Sequence, residues 1–408
     1  MDVAKPSRGG KLPLMAVLVA IDLPGGPEFV AALRAVWDAG DAALPLDQRM
    51  AKPAQAETLE ALGASAVIGP HAQRSLLPGG EPTLPGDALV MSTSGTTGHP
   101  KGVVLTHSAI EASANATSKR LGVDPGRHRW LACLPLNHIG GLAVVTRAMV
   151  TGTPFDVLAG FDADAARALS GPDCFVSLVG TALARTPASL FHTVVLGGSA
   201  YPSDLPDNVV GTYGMTETAS GLVYGGVPLD GVEVDVDADS SEIRLRGPML
   251  LRCYRDGTVP FDHDGWFPTG DAGRIAADGR LEVDGRIGDV IVSGGEKIWP
   301  APIEDILRAH PAVADVAVGG LPDPEWGERV VAWVVPVDEH RPPLLAELRD
   351  LVGERLARWA APKQMVVTTS IPRTAIGKIR RSELCSAPGA ADQAVRDGST
   401  RAPGTLKP

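Results

Sequence analysis

Two textures of apolar and polar residues follow one another along this chain. From residue 12 to about residue 200, short apolar runs alternate with stretches of helical periodicity. The run Leu12 to Ile21 passes through Pro24-Gly25-Gly26-Pro27 into an amphipathic helix expected over Glu28 to Ala39. Asp87 to Met91, Trp130 to Leu136, Phe175 to Val179 and Thr193 to Leu196 read as buried strands, and Gly140 to Val150 as a helix. Such alternation predicts α/β architecture with mostly parallel sheets flanked by helices. Beyond about residue 221 the period changes to two. Val232 to Val236, Glu242 to Arg246 and Arg280 to Val283 alternate apolar with polar between Asp-Gly and Asp-Ser turns, predicting a small antiparallel β unit that closes the first domain.

A further segment opens after Gly285-Arg286-Ile287-Gly288-Asp289. Strands are expected at Val290 to Val292, Ala314 to Val318 and Val330 to Val335, with helices at Pro302 to Ala309 and Leu344 to Trp359. In the second helix, Leu344, Leu348, Leu351, Val352, Leu356 and Trp359 make one apolar stripe. The expected organisation is a large N-terminal domain over residues 1–287, a small compact α+β domain over 288–385 and a disordered tail over 386–408, whose Ala, Gly, Pro, Asp and Ser bury too little to order it.

Composition narrows the class of protein. A length of 408 residues, 44% hydrophobic and 21% charged, with 47 glycines and 35 prolines, describes a loop-rich globular chain with capacity for a large core. The net charge of −11 argues against a general grip on nucleic acid or anionic lipid, which needs a basic face. Cys133, Cys174, Cys253 and Cys385 are far apart and carry no zinc-ligand spacing, so reduced structural cysteines are expected. Lys5, Arg8 and Lys11 before Leu12 to Ile21 imitate the start of a secretory signal, but Asp22 ends the run and no small-x-small site follows. No stretch has the roughly 18 apolar residues of a membrane span, and a cytoplasmic location is expected.

The chemistry begins at Thr93-Ser94-Gly95-Thr96-Thr97-Gly98-His99-Pro100-Lys101-Gly102, directly after a strand. Glycines let backbone N–H groups converge on anionic oxygens, hydroxyls add donors, and the lysine adds a mobile positive charge. The spacing is not that of a Walker A loop, because Lys101 is followed by Gly102 in place of Ser or Thr. Taken alone the segment reads equally well as a turn. Further motifs follow in order: Tyr213-Gly214-Met215-Thr216-Glu217-Thr218, Thr269-Gly270-Asp271 with Gly285-Arg286, and Pro372-Arg373-Thr374-Ala375-Ile376-Gly377-Lys378.

Together these segments resemble the adenylate-forming superfamily, which holds acyl-CoA synthetases, peptide-synthetase adenylation domains and luciferases. The likeness spans about residues 85 to 385 and is strongest to the acyl-CoA synthetase branch, in particular to short members such as o-succinylbenzoate–CoA ligases of menaquinone synthesis. Fewer than 100 residues precede the phosphate loop, where the superfamily usually has more. The resemblance implies an ATP-, magnesium- and coenzyme A-dependent ligase that activates an aromatic or dicarboxylic acid as its acyl-AMP. Acyl transfer to a carrier-protein phosphopantetheine is the alternative, and a nucleotide-binding remnant without catalysis is the non-enzymatic one. Small-molecule partners are implied, and monomer or homodimer remains open.

The resemblance also distributes roles. Thr93, Ser94, Gly95, Thr96, Thr97, Gly98 and Lys101 would wrap the β and γ phosphates, Thr216 would meet the α phosphate, and Glu217 would hold magnesium. Tyr213, Gly214, Met215 and Gly197-Gly198-Ser199-Ala200 would line the adenine pocket. Asp271 would accept the ribose hydroxyls beside Arg286, the alternative being a surface ion pair. Lys378 would reach the α phosphate and the acid during adenylation. Gly288 and Asp289 would form the pivot of the small domain, and Gly294 and Gly295 would border the thiol tunnel after rotation. His138 would gate the acyl pocket or simply cap a helix. Arg147, alone in an apolar helix, would meet a second substrate carboxylate or face solvent.

Overall fold

The computed structural model describes residues 16–94, 100–198, 205–373 and 379–385. Its contacts divide the chain into two compact units, Met1–Glu233 with Leu245–Phe267, and Val234–Arg244 with Pro268–Pro408. Most of the small β unit therefore clusters with the C-terminal part, although its sequence position suggested that it would close the first domain.

The first unit holds two seven-stranded sheets. In one the order is Cys253–Tyr254, Pro100–Thr106, Asp87–Ser94, Ala42–Pro45, Leu18–Ile21, Ala66–Ile68 and Arg74–Leu76. Its central pairings are parallel, while Asp87–Ser94 with Pro100–Thr106 and the outermost pairs run antiparallel. Leu18, Val19, Ala20 and Ile21 are all fully buried, as expected of a central strand covered on both faces. The other sheet runs Val227–Pro228, Ser220–Tyr224, Val209–Met215, Phe191–Leu196, Gly171–Leu178, Arg129–Ala132 and Phe155–Val157, parallel except at the Ser220–Tyr224 end.

Helix Pro27–Asp38 starts on a proline whose fixed φ suits the first turn, and buries Phe29, Val30, Leu33 and Val36. Helix His107–Leu121 is capped by Thr106, whose hydroxyl accepts from Ala109 N–H at 3.1 Å. Helix Ile139–Thr151 ends at Gly152, whose φ of 68° is the left-handed C-cap that glycine adopts without strain. The described cysteines are free, and burial pushes the Cys133 thiol up to about 12 and that of Cys174 to about 11, so both are unreactive side chains.

The second unit has a four-stranded sheet, Glu233–Val236, Glu242–Arg246, Phe267–Ile275 and Leu281–Arg286, and a five-stranded one. The latter is built on the long antiparallel pair Val313–Asp323 and Gly327–Pro336, joined by Ile291–Ser293, Glu296–Ile298 and Gln364–Val367. Ile303 and Leu307 of helix Pro300–Arg308 and Leu348 and Val352 of helix Leu345–Gly353 bury against Val316, Val318, Val330 and Val334. The expected helix to Trp359 stops short at Gly353, where glycine costs about 1 kcal/mol relative to alanine. Leu344 and Trp359, the ends of the expected stripe, are exposed.

Candidate active site

Strands Asp87–Ser94 and Pro100–Thr106 form a hairpin in which Thr93 pairs with Lys101 and Ser94 with Pro100. The Thr93 hydroxyl donates to Lys101 O at 3.1 Å and fastens the mouth of the hairpin. Gly95, Thr96, Thr97 and Gly98, at its tip, lie outside the described residues. Cys253–Tyr254 adds the next strand, with Tyr254 opposite Val103 and Cys253 opposite Val104. This pairing lays the Tyr254 ring under the Lys101 ammonium, 3.3 Å from nitrogen to ring centroid.

Tyr213, Gly214 and Met215 end strand Val209–Met215, and Thr216–Thr218 follows as one 3₁₀ turn. The turn is fixed by its own side chains: Met215 N–H donates to Thr218 Oγ1 at 2.9 Å, and that hydroxyl donates to Ser220 O at 2.6 Å. Glycine is required at 214, where a Cβ would stand 2.3 Å from Ser220 O. Leu251 N–H donates to Glu217 O at 2.7 Å, and the Tyr254 hydroxyl donates to Glu217 Oε1 at 3.1 Å. Lys101 and Glu217, 116 positions apart, thus meet on one tyrosine. On the neighbouring strand, Gly197 and Gly198 follow Leu196, and a Cβ at 197 would lie 2.9 Å from Thr212 Oγ1. Gly198 has a φ of 91°. Ser199 and Ala200 lie outside the described residues.

His138 occupies the N-cap position of helix Ile139–Thr151, yet its side chain makes no capping bond. Its Nε2 is instead 3.1 Å from Arg49 Nη2. Arg49 also holds Asp47 through Nε and Nη2, both at 2.8 Å. Burial works against the Asp47 charge, but Arg49 outweighs it and the carboxyl ends below its ordinary range.

Arg147 is 2% exposed, which excludes the solvent-facing alternative. Its Nη2 donates to Ser220 Oγ at 3.2 Å, and its guanidinium lies 4.7 Å from the Trp130 ring centroid. Nε and Nη1 are buried without a hydrogen-bond partner among the described residues. Burial drags its pKa down, although guanidinium stays protonated.

In the second unit, Asp271 and Arg286 face each other across strands Phe267–Ile275 and Leu281–Arg286, with Arg286 Nε 2.9 Å from Asp271 Oδ1. Arg286 Nη1 also donates to Thr269 O at 3.0 Å. Gly288 and Asp289 sit in a 3₁₀ turn, and Asp289 is held by Arg381 at 2.9 Å. Gly294 and Gly295, with φ of 63° and 88°, make the two-residue turn joining Ile291–Ser293 to Glu296–Ile298. Lys378 lies outside the described residues; on either side of its segment, Arg373 bridges Ile379 and Arg380 N–H donates to Pro372 O at 2.9 Å.

Among the described residues no group of three or more His, Cys, Asp or Glu could hold a metal ion. Magnesium needs none, because it keeps several waters and is held by one or two carboxylates together with substrate phosphates. Glu217, half-buried, with Oε1 oriented by Tyr254 and further lone pairs on its carboxylate, fits that role.

Residues 80–254 match the AMP-binding enzyme family model, and residues 302–378 match the AMP-binding enzyme C-terminal domain. A probable 2-succinylbenzoate–CoA ligase of Mycobacterium tuberculosis is 42% identical over 323 residues, covering 73% of this chain and 83% of that protein. The chain belongs to the AMP-binding enzyme family. A 2-succinylbenzoate–CoA ligase of Listeria monocytogenes is 36% identical over 330 residues, covering 73% of this AMP-binding enzyme and 69% of the relative. The o-succinylbenzoate CoA synthetase of Bacillus subtilis, solved with its acyl-adenylate intermediate, aligns with a TM-score of 0.79 at 28% identity over 92% of this chain and 89% of that one. The same enzyme with ATP and a magnesium ion aligns at 0.78. No described helix of this AMP-binding enzyme is long and apolar enough to cross a membrane.

Two residues of the region escaped the sequence reading. Tyr254 lies in a two-residue strand too short for any periodicity, and Arg49 in a loop; neither position carries a local signal of its contacts.

Proposed function

We propose that this AMP-binding enzyme joins 2-succinylbenzoate to coenzyme A through an acyl-adenylate, drawing on ATP in the cytoplasm. The observation that carries the adenylation half is the meeting of Lys101 and Glu217 at Tyr254, a cation and a metal-suited carboxylate beside the mouth of a glycine-rich hairpin. The names of the relatives support the acid and the thiol.

A carboxylate is a poor acyl donor, and esterification with AMP supplies a good leaving group. The enzyme must bring two anions together and stabilise charge on the α phosphorus and the departing pyrophosphate. Thr93 to Lys101 wraps the β and γ phosphates, and Thr216 hydrogen-bonds the α phosphate. Glu217 would hold magnesium, and the ion would supply positive charge against the phosphates. Tyr213 lies along adenine, with Gly214, Met215 and Gly197 to Ala200 around it. Asp271, already fixed by Arg286, accepts the ribose hydroxyls. Lys378 carries the second cation to the reacting oxygens.

His138, steadied by Arg49, gates the acyl pocket. Arg147 serves the second carboxylate of the acid, a role supported by its two unpartnered buried nitrogens, for which an anion would be the natural complement. Residues 288–385 then rotate about Gly288 and Asp289, so that Gly294 and Gly295 border the thiol, while residues 1–287 keep the adenylate.

Acid-dependent ATP–pyrophosphate exchange over a panel of carboxylic acids tests this reading, with 2-succinylbenzoate expected to give the fastest exchange. Purified coenzyme A and a phosphopantetheinyl carrier protein, offered together, identify the acceptor. Absence of exchange with every acid would remove adenylation, and preferential acylation of the carrier would replace coenzyme A.

A further inference from the structure

We infer that Tyr254 is a positioning residue for the triphosphate site, its hydroxyl aiming the Glu217 carboxylate and its ring holding the Lys101 ammonium. The inference rests on the roles proposed for Glu217 and Lys101 and adds the side chain that coordinates them.

The backbone around Tyr254 is rigidly registered to both. Arg252 N–H donates to Val104 O at 2.9 Å and Arg255 N–H donates to Gly102 O at 2.7 Å, so the short strand cannot slide along Pro100–Thr106. Leu251 N–H holds the Glu217 carbonyl at 2.7 Å. Gly102 permits the close approach, since a Cβ there would stand 2.9 Å from Arg255 Cβ. Tyr254 itself is 8% exposed, so its ring has one place to lie.

Each end of the side chain does different work. The hydroxyl donates to Glu217 Oε1 and turns the carboxylate plane, which leaves Oε2 and the remaining lone pairs for a cation. The ring face holds the lysine by cation–π attraction at 3.3 Å. A lysine with four rotatable bonds would otherwise lose its freedom only on meeting phosphate, and restraint beforehand lowers that entropic cost.

The test separates the two ends. Calorimetric binding of ATP is measured without magnesium and across a magnesium series for the wild type, Tyr254→Phe, Tyr254→Leu and Glu217→Gln, with thermal unfolding of each as the check on folding. Tyr254→Phe keeps the ring and is expected to raise the magnesium concentration for half-maximal ATP binding by roughly 10-fold, while magnesium-free binding stays at the wild-type value. Tyr254→Leu is expected to show that shift and also a several-fold loss of magnesium-free binding. A wild-type magnesium response in Tyr254→Phe, with Glu217→Gln shifted, would overturn the hydroxyl's role and leave the Glu217 assignment standing. Equal magnesium-free affinity in Tyr254→Leu and Tyr254→Phe would overturn the ring's role. No shift in Glu217→Gln would bring down the metal assignment and this inference together.

Discussion

Arg147 Nη2 donates to Ser220 Oγ at 3.2 Å, tying helix Ile139–Thr151 to the strand that begins just after the acidic turn Thr216–Thr218. A fully buried guanidinium with two unpartnered nitrogens is costly in the free protein, and its stacking on Trp130 offsets only part of that cost. Arg147→Met, which fills similar volume without charge, should leave unfolding unchanged or raise its midpoint. Arg147→Ala opens a cavity beside Trp130 and should cost about 2–4 kcal/mol. If Arg147 serves a second carboxylate, Arg147→Met raises KM for 2-succinylbenzoate far more than for a monocarboxylic analogue. Equal changes for the two acids would assign the arginine to the fold alone.

Asp271 has its Oδ1 fixed by Arg286, which would preorganise it for the proposed role of accepting paired hydroxyls. Asp271→Asn should weaken AMP binding roughly 10- to 100-fold, the worth of a charged hydrogen bond or two. It should also erase most of the preference for AMP over its 2′-deoxy analogue. A variant that still discriminates between them would assign the Asp271–Arg286 pair to the fold alone.

Gly214 has no room for a side chain, since a methyl group on its Cα would stand only 2.3 Å from Ser220 O. Gly214→Ala must displace the Met215 to Ser220 turn, at a cost of about 1–3 kcal/mol, and shift Glu217 with it. Thermal unfolding and magnesium-dependent ATP binding should fall together. Loss of stability with normal binding would separate the turn from the nucleotide.

Lys378→Ala should lower the rate of adenylate formation by roughly 2 or more orders of magnitude, the effect of removing one fixed charge stabiliser. Thiolysis of acyl-adenylate supplied from outside should stay near the wild-type rate. Parallel loss of both half-reactions would mean the lysine supports the small domain as a whole.

His107 begins its helix with its ring nearly perpendicular to that of Trp37, centroids 5.0 Å apart, and burial lowers its pKa below the ordinary 6.5 despite Glu111 and Asp87. The unfolded chain therefore binds a proton near pH 6.5 that the folded chain accepts only at lower pH. Its contribution to stability is present above that value and fades as the pH falls through it. The unfolding midpoint should drop between about pH 7.5 and 5.5, and less steeply in His107→Gln. Identical slopes would place the acid sensitivity in other groups.

Much of the architecture was legible from the chain because its elements declare themselves locally. Leu18 to Ile21 is apolar on both faces, and Pro27 and Gly152 punctuate helices by their own backbone constraints. The motif residues were legible for a related reason: Gly214 must be glycine for the backbone of Ser220 to approach it, and Gly198 for its φ of 91°. The extent of helix Leu345–Gly353 was not, because an apolar stripe continued in sequence past a glycine where the regular helix stops.

The order of residues was enough to reveal a two-textured α/β chain, a strand running into a glycine- and hydroxyl-rich loop, and a resemblance to the family of the enzyme, since periodicity, turn chemistry and motif spacing are properties of neighbours. The partners of Lys101, Glu217, His138 and Arg147 came only with the folded coordinates. Tyr254 lies 153 positions from Lys101 and 37 from Glu217, and it joins them solely because a two-residue strand completes the edge of a sheet. Contacts of that separation are set by sheet register and packing, which no local pattern encodes.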